Sequence, residues 1–358
     1  MYASLHKRFS DSEPLVAPTR YSINSFIVDG IIVGNRAGRL VLRNMNLKLM
    51  SSCTVSEYLI TENQQSNAPK LYASIKFPDD RDGHYTSVQL LPRVLDHVGG
   101  ATDGGLCLKT PADRFGFLHA FFKESKQKTI SFWFDTSLSA KDINRNIRRR
   151  TGEVMFGGVN PIRFFTGTAV RFDLNNLNYR GNYPLGWITK DPVTVNVGSF
   201  FSESDYSVIF DIESQVTYLP SEVYDAVVGP LKKVLVDPLT KKPGVDDGIL
   251  GTIHEFTGED KKHNYFPCKY TVFLKPFRLN KLLISTEMLF EQPENGQCIL
   301  RVEPQREEDP NTIVFGFHLI KNFHLAITFN AIYPSYVEFS TRRPIHVISS
   351  IANECPIC

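Results

Sequence analysis

A chain of 358 residues is long for one ordinary domain and suits two lobes of about 150–180 residues each. Its 42% hydrophobic content can fill real cores, yet no run approaches the roughly 18 apolar residues of a membrane span. A net charge of +2 gives no bulk electrostatic reason to bind nucleic acid or an acidic surface.

With 26 Phe and 14 Tyr, and strand-like segments outnumbering helical ones, the chain reads as all-β with few short helices. Residues 1–20 are polar and turn-rich and read as an N-terminal arm. Met1–Arg8 has no apolar core after its charges and does not read as a signal peptide. No Asn-x-Ser/Thr sequon occurs. From Tyr21 to Cys53 short apolar alternations predict a strand meander turning at Gly34-Asn35-Arg36-Ala37-Gly38. Residues 54–70 read as a loop, and Tyr72–Phe77 with His84–Leu91 as a hairpin. Phe115–Glu124 predicts a helix, Thr129–Phe134 a strand, and Glu153–Phe156 a strand ending in Gly157-Gly158. Strands resume after Pro161, and Thr312–Phe317 and Ala326–Phe339 close the fold.

Within that second run, the apolar strand Tyr206–Phe210 delivers Asp211 into a polar turn, Ile212-Glu213-Ser214-Gln215-Val216-Thr217-Tyr218-Leu219-Pro220. An amphipathic helix follows from Ser221. A buried strand, one carboxylate, a turn and a helix resemble the second active-site loop of pepsin-like aspartic proteases, in the plant form Asp-Ser/Thr-Gly-Thr/Ser-x-x-Thr-Tyr-Leu-Pro. Ile212 replaces the small hydroxyl residue and Glu213 the glycine.

Other segments carry the same resemblance in the same order. Ala101–Leu108 and Thr110-Pro111 resemble the family's Asp-Gly-Ile-Leu-Gly-Leu strand and its sequel, and Thr129–Phe134 its Phe-Ser-x-x-Leu strand. Phe156–Asn160 resembles Phe-Gly-Gly-x-Asp, and Phe165-Thr166-Gly167 resembles Tyr-Thr-Gly. Ile313–His318 resembles the Ile-Leu-Gly-Asp strand, with Phe317 in place of the Asp, and Phe323–Phe339 the closing hairpin. The resemblance implies a bilobal pepsin-like fold, two antiparallel β lobes around a central cleft. We take the lobes as 21–165 and 166–345, with a tail at 346–358.

The first lobe departs from the pattern. Gly30–Gly34 resembles the opening Gly-x-Ile-x-Ile-Gly, Asn46–Leu49 resembles the strand after the first active-site loop, and Phe77 stands where the flap tyrosine would be. Between them only Leu40–Met45 is present, without a carboxylate. Family chemistry needs two carboxylates about 3 Å apart sharing one proton, one activating water and the other polarising the scissile carbonyl. Asp211 alone supplies neither arrangement. Glu213 reads as a solvated anion in a degenerate loop, or as one paired with a cation, for which Arg43 is a candidate.

Several further features read as structural. Phe134-Asp135-Thr136-Ser137 imitates a catalytic motif, but Asp135 ends a strand and reads as a turn residue. Arg145–Arg150 is isolated from aromatics and reads as a hairpin tip rather than a nucleic-acid patch. His318 and His324 flank apolar residues and read as structural, and His254-Glu255 lacks a partner at metal spacing. Six cysteines, Cys53, Cys107, Cys268, Cys298, Cys355 and Cys358, allow up to three disulfides in an oxidising compartment. Cys355-Pro-Ile-Cys358 has redox or metal spacing but no second such pair. The resemblance implies a Cys268–Cys298 disulfide.

The implied function is a catalytically inactive homologue that binds a peptide or protein through its cleft or loops. Its site residues are Asp211, Ile212, Glu213, Ser214 and Thr217, with Phe77 as flap. The alternatives are an active aspartic endopeptidase with an atypical site, and an inhibitor-like binder of a foreign hydrolase. No metal or cofactor, no nucleic acid and no membrane span are expected; a monomer in the secretory pathway or outside the cell is.

Overall fold

The computed structural model describes residues 15–22, 25–36, 39–51, 57–60, 71–76, 86–94, 104–109, 117–135, 152–175, 186–202, 205–235, 251–254, 262–292, 297–305, 310–330 and 333–343. Side chains are described for Ile27, Val28, residues 47–51 and most of these positions from 104 onward.

Strands β1 (Leu15–Ser22), β2 (Ser25–Arg36) and β3 (Arg39–Met50) form an antiparallel meander, with Thr19 opposite Val28 and Val33 opposite Leu42. The arm expected at 1–20 therefore gives its last residues to β1. Four strands follow: β4 (Glu57–Ile60), β5 (Leu71–Lys76), β6 (Thr86–Val94) and β7 (Gly104–Cys107). β7 runs parallel to β3, Leu49 opposite Leu106, and antiparallel to β4; β4 runs parallel to β6. β5 pairs with both β6 and β2. Helix α1 (Phe117–Glu124) buries Phe117, Leu118, Phe121 and Phe122, the helical spacing that makes one apolar stripe. Phe117 and Phe121 meet Phe156 of the next hairpin, β8 (Thr129–Phe134) and β9 (Gly152–Phe156).

The second half opens with β10 (Val170–Asp173), β11 (Trp187–Ile188), β12 (Val195–Val197) and β13 (Phe200–Phe201). Next come β14 (Ser207–Asp211), β15 (Thr217–Leu219) and helix α2 (Ser221–Leu235), which buries Val223, Tyr224, Val227, Val228 and Leu231. β16 (Gly251–His254), β17 (Lys262–Pro267), β18 (Phe277–Leu279), β19 (Leu282–Ile284), β20 (Phe290–Glu291), β21 (Gln297–Leu300) and β22 (Val302–Pro304) follow. The last elements are β23 (Thr312–Gly316), the single-turn α3 (Phe317–Ile320), β24 (Phe323–Asn330) and β25 (Tyr333–Thr341).

One pairing pattern occurs twice. In the second half β14 runs parallel to β23, β15 pairs antiparallel with β23, and β15 runs parallel to β22. In the first half β3, β7, β4 and β6 are joined in the same order and senses. The ends of β3 and β14 are thereby equivalent positions. Both halves share a sheet ordered β10-β25-β24-β8-β9-β1. It rests on aromatic packing: Phe210, Phe315 and Phe172 gather around Phe339 with ring centroids 5.0–6.0 Å apart.

Candidate functional site

β14 is apolar because it is buried: Val208, Ile209 and Phe210 are all in the core, and the strand delivers Asp211 at 4% exposure. Two glycines let the backbone pack around it. A Cβ on Gly186 would lie 2.2 Å from the Phe210 carbonyl oxygen, and one on Gly316, opposite Asp211 in β23, 2.3 Å from that of Val216. The loop after Asp211 is held by backbone and hydroxyl bonds. Phe317 N–H donates to the Ser214 carbonyl at 2.6 Å, Gly316 N–H to Thr217 Oγ1 at 3.0 Å, and Ser214 Oγ to the Val216 carbonyl at 2.8 Å. Ile212, in the place of a hydroxyl residue, is buried at 2% exposure.

The equivalent point of the first half is Met50, which pairs with Cys107 as Asp211 pairs with Gly316, and Ser51 follows it. Its hydroxyl donates to Asp211 Oδ1 at 2.8 Å and accepts the Ile212 N–H at 3.1 Å. Glu213 N–H also donates to Asp211 Oδ1, at 2.9 Å. The Glu213 side chain then crosses to the first half. Its Oε2 accepts the Ser51 N–H at 3.0 Å, and its Oε1 sits 2.9 Å from Lys48 Nζ. Thus the two halves meet through one hydroxyl, two carboxylates and one ammonium.

Burial pushes the Asp211 carboxyl above its ordinary range, and the negative charge of Glu213 adds to this. The hydrogen bonds from Glu213 N–H and Ser51 act in the opposite sense without overcoming it. Chemically, Ser51 can hold or orient the carboxylate but cannot share its proton: an aliphatic hydroxyl stays protonated at any pH where a carboxyl titrates.

No protein-family model matches the chain, and no curated protein matches it. Among solved structures, the crystal structure of the aspartic proteinase from Irpex lacteus superposes with a TM-score of 0.61. The match covers 92% of this chain and 98% of that one at 10% sequence identity. The fold is that of the pepsin-like aspartic proteinases.

Several readings shift on this frame. Asn46–Leu49, expected after the first active-site loop, lies in the strand that leads into it, because Leu47–Met50 pairs with β7 as Ser207–Asp211 pairs with β23. The replaced position is therefore Met50, followed by Ser51, and not a site within 40–46. Glu213 is not a solvated anion, since its side chain is 15% exposed and bound to Lys48 and Ser51. Lys48 supplies the cation for which Arg43 was the candidate; the Arg43 side chain lies outside the described residues. Sequence reasoning missed Ser51 and Lys48 as site residues. No local signal marks them, because the place of β3 is fixed only by its pairing with β7.

Elsewhere, Cys268 and Cys298 form a disulfide with Cα atoms 5.0 Å apart, and Cys107 is also disulfide-bonded. Asp135 follows β8, is 9% exposed, and offsets part of the burial that pulls down the Arg342 guanidinium. His318 Nε2 lies 3.1 Å from the Phe290 carbonyl, and His324 stacks on Phe164 with centroids 4.4 Å apart. Phe77, Cys53, Cys355, Cys358, Arg145–Arg150 and Glu255 lie outside the described residues. Among the described residues no group of three or more His, Cys, Asp or Glu is placed to hold a metal, and no helix is long and apolar enough to cross a membrane.

Proposed function

We propose that this chain is a catalytically inactive pepsin-like homologue that works by binding a peptide or protein through its cleft or loops. The supporting observation is that the position equivalent to Asp211 is Met50, which has no carboxyl, and that the Asp211 carboxyl is instead hydrogen-bonded at 2.8 Å by the next residue, Ser51. A proton-sharing pair needs a second carboxylate there to act as base while its partner acts as acid. Burial of both Ser51 and Asp211 and the bridge through Glu213 leave an ordered, interlocked centre. We retain in this reading a monomer with lobes at 21–165 and 166–345. The Cys268–Cys298 disulfide favours an oxidising compartment, the secretory pathway or the exterior.

The test is incubation of the purified protein with a peptide library at pH 3–5, with and without pepstatin, beside Asp211→Ala. No cleavage is expected from either protein. Pepstatin-sensitive cleavage that disappears in Asp211→Ala would overturn the reading.

A further inference from the structure

The four-stranded sheet β13-β12-β18-β19 has two unlike faces. Val195, Val197, Phe277, Leu279, Leu282 and Ile284 point into the core. The alternate positions point out, and register aligns them in one row: Phe201 opposite Asn196, Asn196 opposite Arg278, Arg278 opposite Leu283. All four are exposed, with Phe201 at 59% and Leu283 at 45%. Neighbouring strands lie about 4.8 Å apart, so the two apolar ends stand roughly 14 Å apart with a guanidinium between them.

Along β18 and β19 charge is one-sided, while Asp191 lies before β12 and Asp205 after β13. From Lys261 to Thr286 the chain carries Lys261, Lys262, Lys269, Lys275, Arg278 and Lys281, and no Asp or Glu. Lys275 precedes β18 and Lys281 lies in the turn to β19; both are exposed. The outward row is thus apolar at its ends and basic beside its middle, on a chain whose net charge is only +2. A second copy would bring like charge against like, which opposes self-docking. Nucleic acid would want several stacking aromatics, and the row has one.

We propose that the outer face of this sheet is a docking surface for an acidic, extended segment of a partner protein. Apolar side chains of the segment cover Phe201 and Leu283, and its carboxylates meet Arg278, with Lys275 and Lys281 at the margin. The proposal rests on the reading that the chain acts by binding, but the surface lies on a different sheet from Asp211.

The experiment is fluorescence anisotropy with a labelled synthetic peptide alternating Glu and Leu, at low and at high salt. Polyglutamate, a Lys/Leu peptide and vesicles containing phosphatidylserine serve as comparisons. The Glu/Leu peptide should bind best and weaken as salt rises. Arg278→Glu and the pair Phe201→Ser with Leu283→Ser should each weaken it about tenfold. These side chains are exposed, so an unchanged thermal transition certifies the fold of each variant. Failure of the Glu/Leu peptide to bind overturns the proposal, as does binding insensitive to the variants. Polyglutamate or vesicles binding equally well overturns it too. Peptide hydrolysis by the unmodified protein would refute the non-catalytic reading and leave these binding results standing.

Discussion

Glu213 stands where a glycine would let two loops pack backbone to backbone, and Lys48 makes a carboxylate tolerable there. Its Nζ lies 2.9 Å from Oε1, with the two side chains 29% and 15% exposed. Lys48→Met should therefore leave a mostly buried carboxylate short of its counter-charge and cost about 1–3 kcal/mol in urea unfolding. Adding Glu213→Gln should recover part of that loss, because contacting residues are not additive; two independent losses would contradict the pairing.

Two buried groups give the molecule opposing responses to acid. Burial, with a smaller push from Arg163, holds the His324 imidazole down at about 4. Its contribution is full above the ordinary value of 6.5 and is lost as pH falls toward about 4. At pH 4.5 the loss is about 2.5 kcal/mol, and His324→Phe should be less acid-sensitive by that amount. Asp211 has the other sign: a carboxyl raised by burial favours the folded state below the ordinary 3.8 and ceases to do so as pH rises through its folded value. Asp211→Asn keeps an acceptor for Ser51 and Glu213 N–H. It should be more stable than the parent at pH 7, with the difference shrinking on acidification.

At the scale of elements, the parallel pair β14–β23 is the support on which the site rests, and Gly316 is its narrowest point. Because a Cβ there would approach the Val216 carbonyl to 2.3 Å, Gly316→Ala should cost about 2–3 kcal/mol, read from chemical denaturation. The Cys268–Cys298 bridge closes a separation of 30 residues, and its reduction should lower stability by about 3–4 kcal/mol in the chain-entropy model. Elements with one dominant local signal were legible in the sequence. The apolar run Thr129–Phe134 forms a strand with those bounds, and the helix read at Phe115–Glu124 begins two residues later, at Phe117. Residues 15–20 were not legible, since a short stretch interrupted by Pro18 becomes a strand only through pairing with β2 and β9.

At the scale of the whole molecule, the duplicated pairing pattern explains which half of the site could be read. Asp211 announces itself through local sequence: an apolar strand, a carboxylate, a polar turn and a helix. Ser51 has no such signature. That Met50 is the counterpart of Asp211, with Ser51 beside it, follows from β3 lying against β7 as β14 lies against β23, a relation between segments more than 50 residues apart. Across the interface of the halves the same network that joins them, Ser51 to Asp211 and Glu213 to Lys48, fills the place where proton sharing would occur. On the proposed reading one member of the pair is already missing, a loss that costs several orders of magnitude in rate, so neither the parent nor Asp211→Ala should show turnover.

The measurement that tests this most directly is a pH titration of the Asp211 side-chain carboxyl by NMR of selectively 13C-labelled aspartate. A buried carboxyl bonded to a serine, with Glu213 as a neighbouring charge but not a proton-sharing partner, should have its main titration step above the ordinary Asp value of 3.8. In Ser51→Ala that step should move higher still, because the hydroxyl's bond favours the charged form. Two strongly coupled steps, one of them well below the ordinary value and both persisting in Glu213→Gln, would reveal a second carboxyl sharing the proton and contradict the account.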